Sequence, residues 1–116
     1  MKYTINMPPS INRTYKTGRG NFYRSKESHE WEEAALWTIK ELQIHYDHPK
    51  TIKGKVKVTY HLYYFRDSDW DSRIKAIGDV LEKSGLIEND MNILEAHIYK
   101  HIDKLNPRVE IDIDVL

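Results

Sequence analysis

With 116 residues, 40% of them hydrophobic and 31% charged, the chain has the size and composition of one globular domain, residues 1–116. Eighteen basic residues balance eighteen acidic ones and cysteine is absent, which excludes a disulfide framework, a thiolate metal site and a cysteine nucleophile. No run approaches the ~20 apolar residues that span a bilayer, and Pro8 and Pro9 precede any apolar stretch of signal-peptide length. A cytoplasmic protein without membrane attachment is expected.

Taken in chain order, Lys2 to Met7 reads as a strand with Tyr3, Ile5 and Met7 on one face, stopped by Pro8-Pro9-Ser10. A long basic stretch from Ile11 to Ser25 reads as a loop, with Tyr15, Phe22 and Tyr23 interleaved. From Met1 to Lys26 there are six basic residues and no acid, so a local cationic patch exists although the whole chain is neutral. Ser25 suits the N-cap of a helix running to about Tyr46, with Glu27 and Glu30 near its positive end. Trp31, Ala35, Thr38 and Leu42 make its inner face, and a linker containing Pro49 follows.

Lys55 to Phe65 is the clearest strand, with Val56, Val58, Tyr60, Leu62 and Tyr64 alternating with more polar neighbours. It runs into Arg66-Asp67-Ser68-Asp69 and a second helix reaching about Ser84, with Ile74, Ile77 and Leu81 as its stripe and Gly85 as a left-handed stop. Asn92 to Ile102 reads as a strand with Leu94, Ala96, Ile98 and Ile102 inward. After Asn106-Pro107, Val109, Ile111, Ile113 and Val115 mark a last strand. The predicted architecture is α+β, in the order β-α-β-α-β-β: a mixed four-stranded sheet with two helices packed on it.

Asp67, Asp69 and Asp71 crowd the end of the best strand. Lys75 shares a helix face with Asp71, and Asp90 precedes the third predicted strand. If that strand neighbours the one ending at Phe65, Asp90 returns to the same rim. Carboxylate oxygens of this kind suit magnesium, which keeps several waters and needs few protein ligands beside phosphate oxygens. A nearby lysine can offset charge developing on a phosphate. A plainer reading is also open: Ser68 as N-cap with Asp71 three residues on forms a capping box. An EF-hand loop is excluded, because Ser72 stands where glycine is needed and Gly78 where the bidentate glutamate is needed. Six histidines accompany no cysteine and no H-E-x-x-H spacing, which argues against zinc; His61 and His97 are expected as an ordinary exposed pair. Trp70, between two of the aspartates, is expected to pack rather than to stack on a base.

The chain resembles the RusA family of Holliday-junction resolvases over nearly its whole length. Pro8-Pro9-Ser10-Ile11-Asn12-Arg13-Thr14-Tyr15 is similar to the family's Pro-Pro-Ser-x-Asn-x-x-Tyr segment, and Asp69-Trp70-Asp71-Ser72-Arg73-Ile74-Lys75 to its D-x-D-N-x-x-K motif. The spacing through Gly85 to Leu86-Ile87-Glu88-Asn89-Asp90 also matches. The resemblance implies a homodimeric, magnesium-dependent endonuclease (manganese a possible substitute) that cuts four-way DNA junctions in recombination or repair. It assigns metal binding to Asp69, Asp71 and Asp90 and an essential basic role to Lys75. Ser68 and Ser72 depart from it, standing where many members carry a basic residue and an asparagine.

Branched DNA is the expected partner, gripped by Asn12, Arg13, Tyr15, Lys16, Arg19, Arg24 and Arg73. The alternative is a non-catalytic junction-binding or phage-encoded interaction module on the same fold.

Overall fold

The computed structural model describes residues 1–10, 15–18 and 21–116, with the side chains of 15–18 and 21–24 outside the description. The elements are β1 (Lys2–Ile5), β2 (Tyr15–Gly18), β3 (Asn21–Arg24), α1 (Lys26–His45), β4 (Val56–Tyr64), α2 (Ile74–Lys83), a single 3-10 turn (Asp90–Asn92), β5 (Ile93–Ile102) and β6 (Arg108–Val115).

The α+β, mixed four-stranded expectation holds, with strand order β1-β6-β4-β5. β6 runs antiparallel to both β1 and β4, placing Tyr3 beside Ile111 and Ile111 beside Tyr60. β4 and β5 are parallel neighbours, a pairing that needs a crossover connection, which α2 supplies. The long basic segment carries something the sequence reading did not foresee: β2 and β3 form a separate antiparallel pair, from Tyr15 opposite Arg24 to Gly18 opposite Asn21.

The core lies between the helices and one face of the sheet. Val56, Val58, Tyr60, Leu62 and Tyr64 of β4 and Val109, Ile111 and Ile113 of β6 are buried, alternating with half-exposed neighbours as a sheet covered on one side should. Ser25 caps α1, its hydroxyl accepting from the Ser28 amide at 3.1 Å. Ser28, Trp31, Ala35 and Ile39 are its buried stripe. Thr38 and Leu42, expected inward, are only half buried because the stripe passes through Ile39 instead. Trp31 also donates from Nε1 to the Asn6 carbonyl at 2.8 Å, fastening the chain after β1 to the helix. In α2 the buried residues are Ile77, Val80 and Leu81, and Gly85 takes φ +80° just beyond its end, as its sequence position suggested.

Two expectations need correction. Ser68 does not cap a helix: α2 begins only at Ile74, after Arg73, which has no capping hydrogen bond, and the Ser68 hydroxyl instead accepts from Arg73 Nη1 at 2.8 Å. The inward face predicted for β5 is not buried either. Leu94, Ala96 and Ile102 are exposed and Ile98 is half buried, because β5 is an edge strand lying beyond the cover of the helix layer. No helix among the described residues is long and apolar enough to cross a membrane.

Candidate active site

The predicted carboxylates sit around the passage from β4 into α2. Tyr64, buried at the end of β4, donates its hydroxyl to the Asp69 carbonyl at 3.0 Å, which draws the aspartate-rich loop onto the helix-side face of the sheet. Burial raises the Tyr64 phenol above its ordinary value, so it stays a donor at neutral pH. Asp67 leaves the predicted group. Lys100 of β5 reaches its carboxylate and the Ser68 carbonyl, each at 2.8 Å, and this hydrogen bond holds the Asp67 carboxyl below the usual carboxylate range. The side chains of Asp69 and Asp71 are left exposed, and Asp71 lies at the entry to α2, its carbonyl accepting from the Ile74 amide at 3.4 Å.

Lys75, in the first turn of α2, connects the parts. Its ammonium lies 2.9 Å from Asp79 and 3.7 Å from Asp90, and the Asp79 hydrogen bond is the main reason its pKa is raised. Asp90 is thereby brought to the head of the helix that Asp69 and Asp71 precede, where Asn89 orders the turn by accepting from the Met91 amide at 2.8 Å. Asp79 was missed by the sequence reading, although its position four residues after Lys75 on one helix was a legible signal.

Carboxylate oxygens are the donors a hard divalent cation takes, so the chemistry of Asp69, Asp71 and Asp90 fits magnesium. The geometry is open: among the described residues no three histidine, aspartate or glutamate side chains stand together closely enough to enclose an ion. Asp90 instead has the Lys75 ammonium as its counter-charge.

Arg73 is committed to protein contacts. Its Nε donates to the Pro8 carbonyl at 2.9 Å, its Nη1 to the hydroxyls of Ser68 at 2.8 Å and Ser72 at 3.3 Å, and its guanidinium lies 4.9 Å from the Tyr64 ring centroid. The two serines that depart from the family's pattern are therefore both partners of this arginine. Asn12, Arg13 and Arg19 lie outside the described residues. Tyr15, Lys16 and Arg24 fall on β2 and β3, where only the backbone is described. Trp70 is 54% exposed, so it does not fill the core as expected.

On the opposite face of the sheet, His61 pairs with His101 rather than with His97: Nδ1 and Nε2 are 2.9 Å apart, and Tyr63 and Tyr99 stack alongside. The register explains this, since His97 lies beside Thr59. A cleft of about 720 Å³ is lined by Leu36, Lys40, Gln43 and Ile44 of α1 together with Asp47, His48, Ser84 and Gly85, and by none of Asp69, Asp71, Lys75 or Asp90. It shares no residue with the aspartate rim, to which the chemistry is assigned.

An α+β domain whose central strand β4 empties into exposed aspartates, with a lysine shared between two more, has the makeup of a phosphoryl-transfer enzyme. The chain belongs to the RusA endodeoxyribonuclease family, whose model matches residues 6–114. It is similar to the crossover junction endodeoxyribonuclease RusA of Aquifex aeolicus, 32% identical over 110 residues that cover 88% of this chain and 80% of that protein. The proteins of the same name from Escherichia coli and Shigella sonnei are 27% identical over 110 residues, covering 95% of this chain and 90% of theirs.

Proposed function

We propose that this chain is a metal-dependent endodeoxyribonuclease that recognises crossover DNA junctions and resolves them by paired phosphodiester hydrolysis, acting as a homodimer. Family membership supports the substrate class, because the relatives are named for crossover junctions. The observation that carries the site is the Lys75–Asp90 ion pair at 3.7 Å, which joins the third aspartate to the helix entered from Asp69 and Asp71. Those three residues would hold magnesium, with manganese as a substitute; a bound ion would neutralise phosphate charge and acidify a coordinated water. Lys75 contributes a cation whose position is set by Asp79 and Asp90, next to where a phosphate oxygen would lie. A two-fold dimer suits the substrate, since two identical sites then meet two equivalent strands.

The open arrangement of the carboxylates favours one other reading, a junction-binding module without catalysis. The two separate cleanly when a labelled synthetic four-way junction is incubated with the protein, with and without magnesium or manganese, and with linear duplex as control. Paired nicks on the junction only, and only with metal, are expected. Retention of the junction in a gel shift with no nick at any metal concentration would overturn the enzymatic reading.

A further inference from the structure

The helix-side face of β5 is apolar along its regular stretch except at one position. Ala96, Ile98, Lys100 and Ile102 lie in register beside Val58, Tyr60, Leu62 and Tyr64 of β4, all four of them buried. Residues directly opposite share a face, so Lys100 stands between two isoleucines where the pattern calls for another apolar side chain. Its ammonium does not turn away to solvent. It reaches the loop after β4 and donates to the Asp67 carboxylate and to the Ser68 carbonyl, each at 2.8 Å. The Asp67 hydrogen bond is also the main reason that the Lys100 pKa is raised.

The contact with Ser68 is the informative one. The Ser68 carbonyl belongs to the peptide group on the N-terminal side of the Asp69 Cα. The Asp69 carbonyl belongs to the peptide group on the other side, and it accepts from the Tyr64 hydroxyl at 3.0 Å and from Ser72 Oγ at 3.4 Å. Peptide groups are planar, so φ and ψ of one residue are set by how its two flanking planes are turned. Lys100 from β5 and Tyr64 from β4 hold one plane each. Together they fix the direction in which the exposed Asp69 side chain leaves the backbone.

We infer that Lys100 is a positioning residue for Asp69: by clamping the Ser68–Asp69 peptide it holds that carboxylate ready for a divalent cation. This rests on the metal site proposed above and adds to it a side chain from the edge strand. An ion pair as exposed as Lys100–Asp67 does little for stability. A hydrogen bond behind a metal ligand, by contrast, sets how well that ligand is oriented.

Charge and geometry predict opposite signs for the decisive variant. Lys100→Met keeps the apolar stem and removes the cation. By charge alone, losing a cation beside a cation site tightens metal binding; losing the clamp weakens it. Manganese uptake without DNA, followed by the paramagnetic resonance of the free ion, should show the dissociation constant of Lys100→Met raised roughly tenfold, the low end for a partner lost behind a ligand. Lys100→Arg, whose fork can serve carboxylate and carbonyl together, should stay close to the parent. Ile39→Val, in the core under α1, should melt lower yet bind manganese as the parent does, which separates positioning from general destabilisation. In junction nicking, Lys100→Met should need more magnesium for half-maximal rate while keeping most of the rate at saturating magnesium.

Manganese binding by Lys100→Met as tight as the parent's, or tighter, would overturn the inference. So would a rate lost equally at every magnesium concentration, the mark of a lysine that touches DNA. A parent that takes up no manganese sinks it as well. A parent that nicks junctions with metal, beside a Lys100→Met variant that titrates identically, removes Lys100 and spares the nuclease. Weakened manganese binding in that variant, with no nicking by the parent, does the reverse.

Discussion

Replacing Arg73 by lysine separates two roles that its sequence position alone could not. If the guanidinium is a brace, what matters is its fork: Nε to Pro8, Nη1 to Ser68 and Ser72, and the flat face toward the Tyr64 ring. The two short hydrogen bonds are charge-assisted, a type worth about 1.5–3 kcal/mol each at best. The side chain is only half buried, so about 1 kcal/mol apiece is a fairer figure once solvent screening is allowed for. The aromatic contact adds about 0.5 kcal/mol. Arg73→Ala should therefore cost about 2–3 kcal/mol, and at roughly 4–8 °C per kcal/mol for a small domain the melting midpoint should fall by about 10 °C or more.

Lysine keeps the charge but offers a point donor that cannot serve Pro8 and Ser68 together. Arg73→Lys should lose more than half as much stability, and its nicking rate should fall with it, because the braced loop carries Asp69 and Asp71. The assay is a thermal melt paired with junction cleavage across a salt series. A phosphate contact behaves differently: the lysine variant would melt and bind like the parent, and Arg73→Ala would flatten the salt dependence of binding by about one unit of slope. That pattern would refute the bracing role.

Asp69→Asn should abolish cleavage while junction binding persists in a gel shift; full nicking by this variant would remove Asp69 from the proposed ligand set. Leu62→Ala, deep in the core, should lower unfolding stability by about 2–5 kcal/mol in urea titration, with the spread set by how far the cavity relaxes. The Asp103 carboxyl is held below the usual carboxylate range, chiefly by its hydrogen bond from Arg108. Its stabilising contribution is therefore present above the unfolded value and is lost as pH falls through the folded one. Asp103→Asn should make stability less steeply dependent on pH in that acidic window, read from unfolding midpoints, and an unchanged slope would show that the pair contributes nothing there.

What could be read from the residues, and what could not, divides along physical lines. The alternation in β4 and β6 is strong because each strand has one face on the core, so both emerged from pattern alone. β5 has the same alternation on paper, yet its apolar side chains remain in solvent, since position in the sheet order is a property of the fold and not of the segment. β2 and β3 are four residues each, too short for a period to show. The capping box at Ser68 failed because Arg73, five residues on, competes for the same hydroxyl. Asp69, Asp71, Lys75 and Asp90 are a candidate set through their resemblance to the family's motif, and of these the fold shows Lys75 beside Asp90. The pairing of Lys75 with Asp79, and of Asp67 with Lys100, needed the folded chain.

The sheet order also bears on how such a chain matures. β6, the latest of the described strands to be synthesised, occupies an interior place between β1 and β4. Until it arrives, β4 lacks its antiparallel neighbour and β1 has no partner in that sheet. A ribosome-bound intermediate ending before Arg108 would expose the Tyr60 and Tyr3 surroundings that Ile111 closes. Closure of the sheet should therefore wait for β6 to become available and then proceed cooperatively, leaving little room for a stable half-made enzyme.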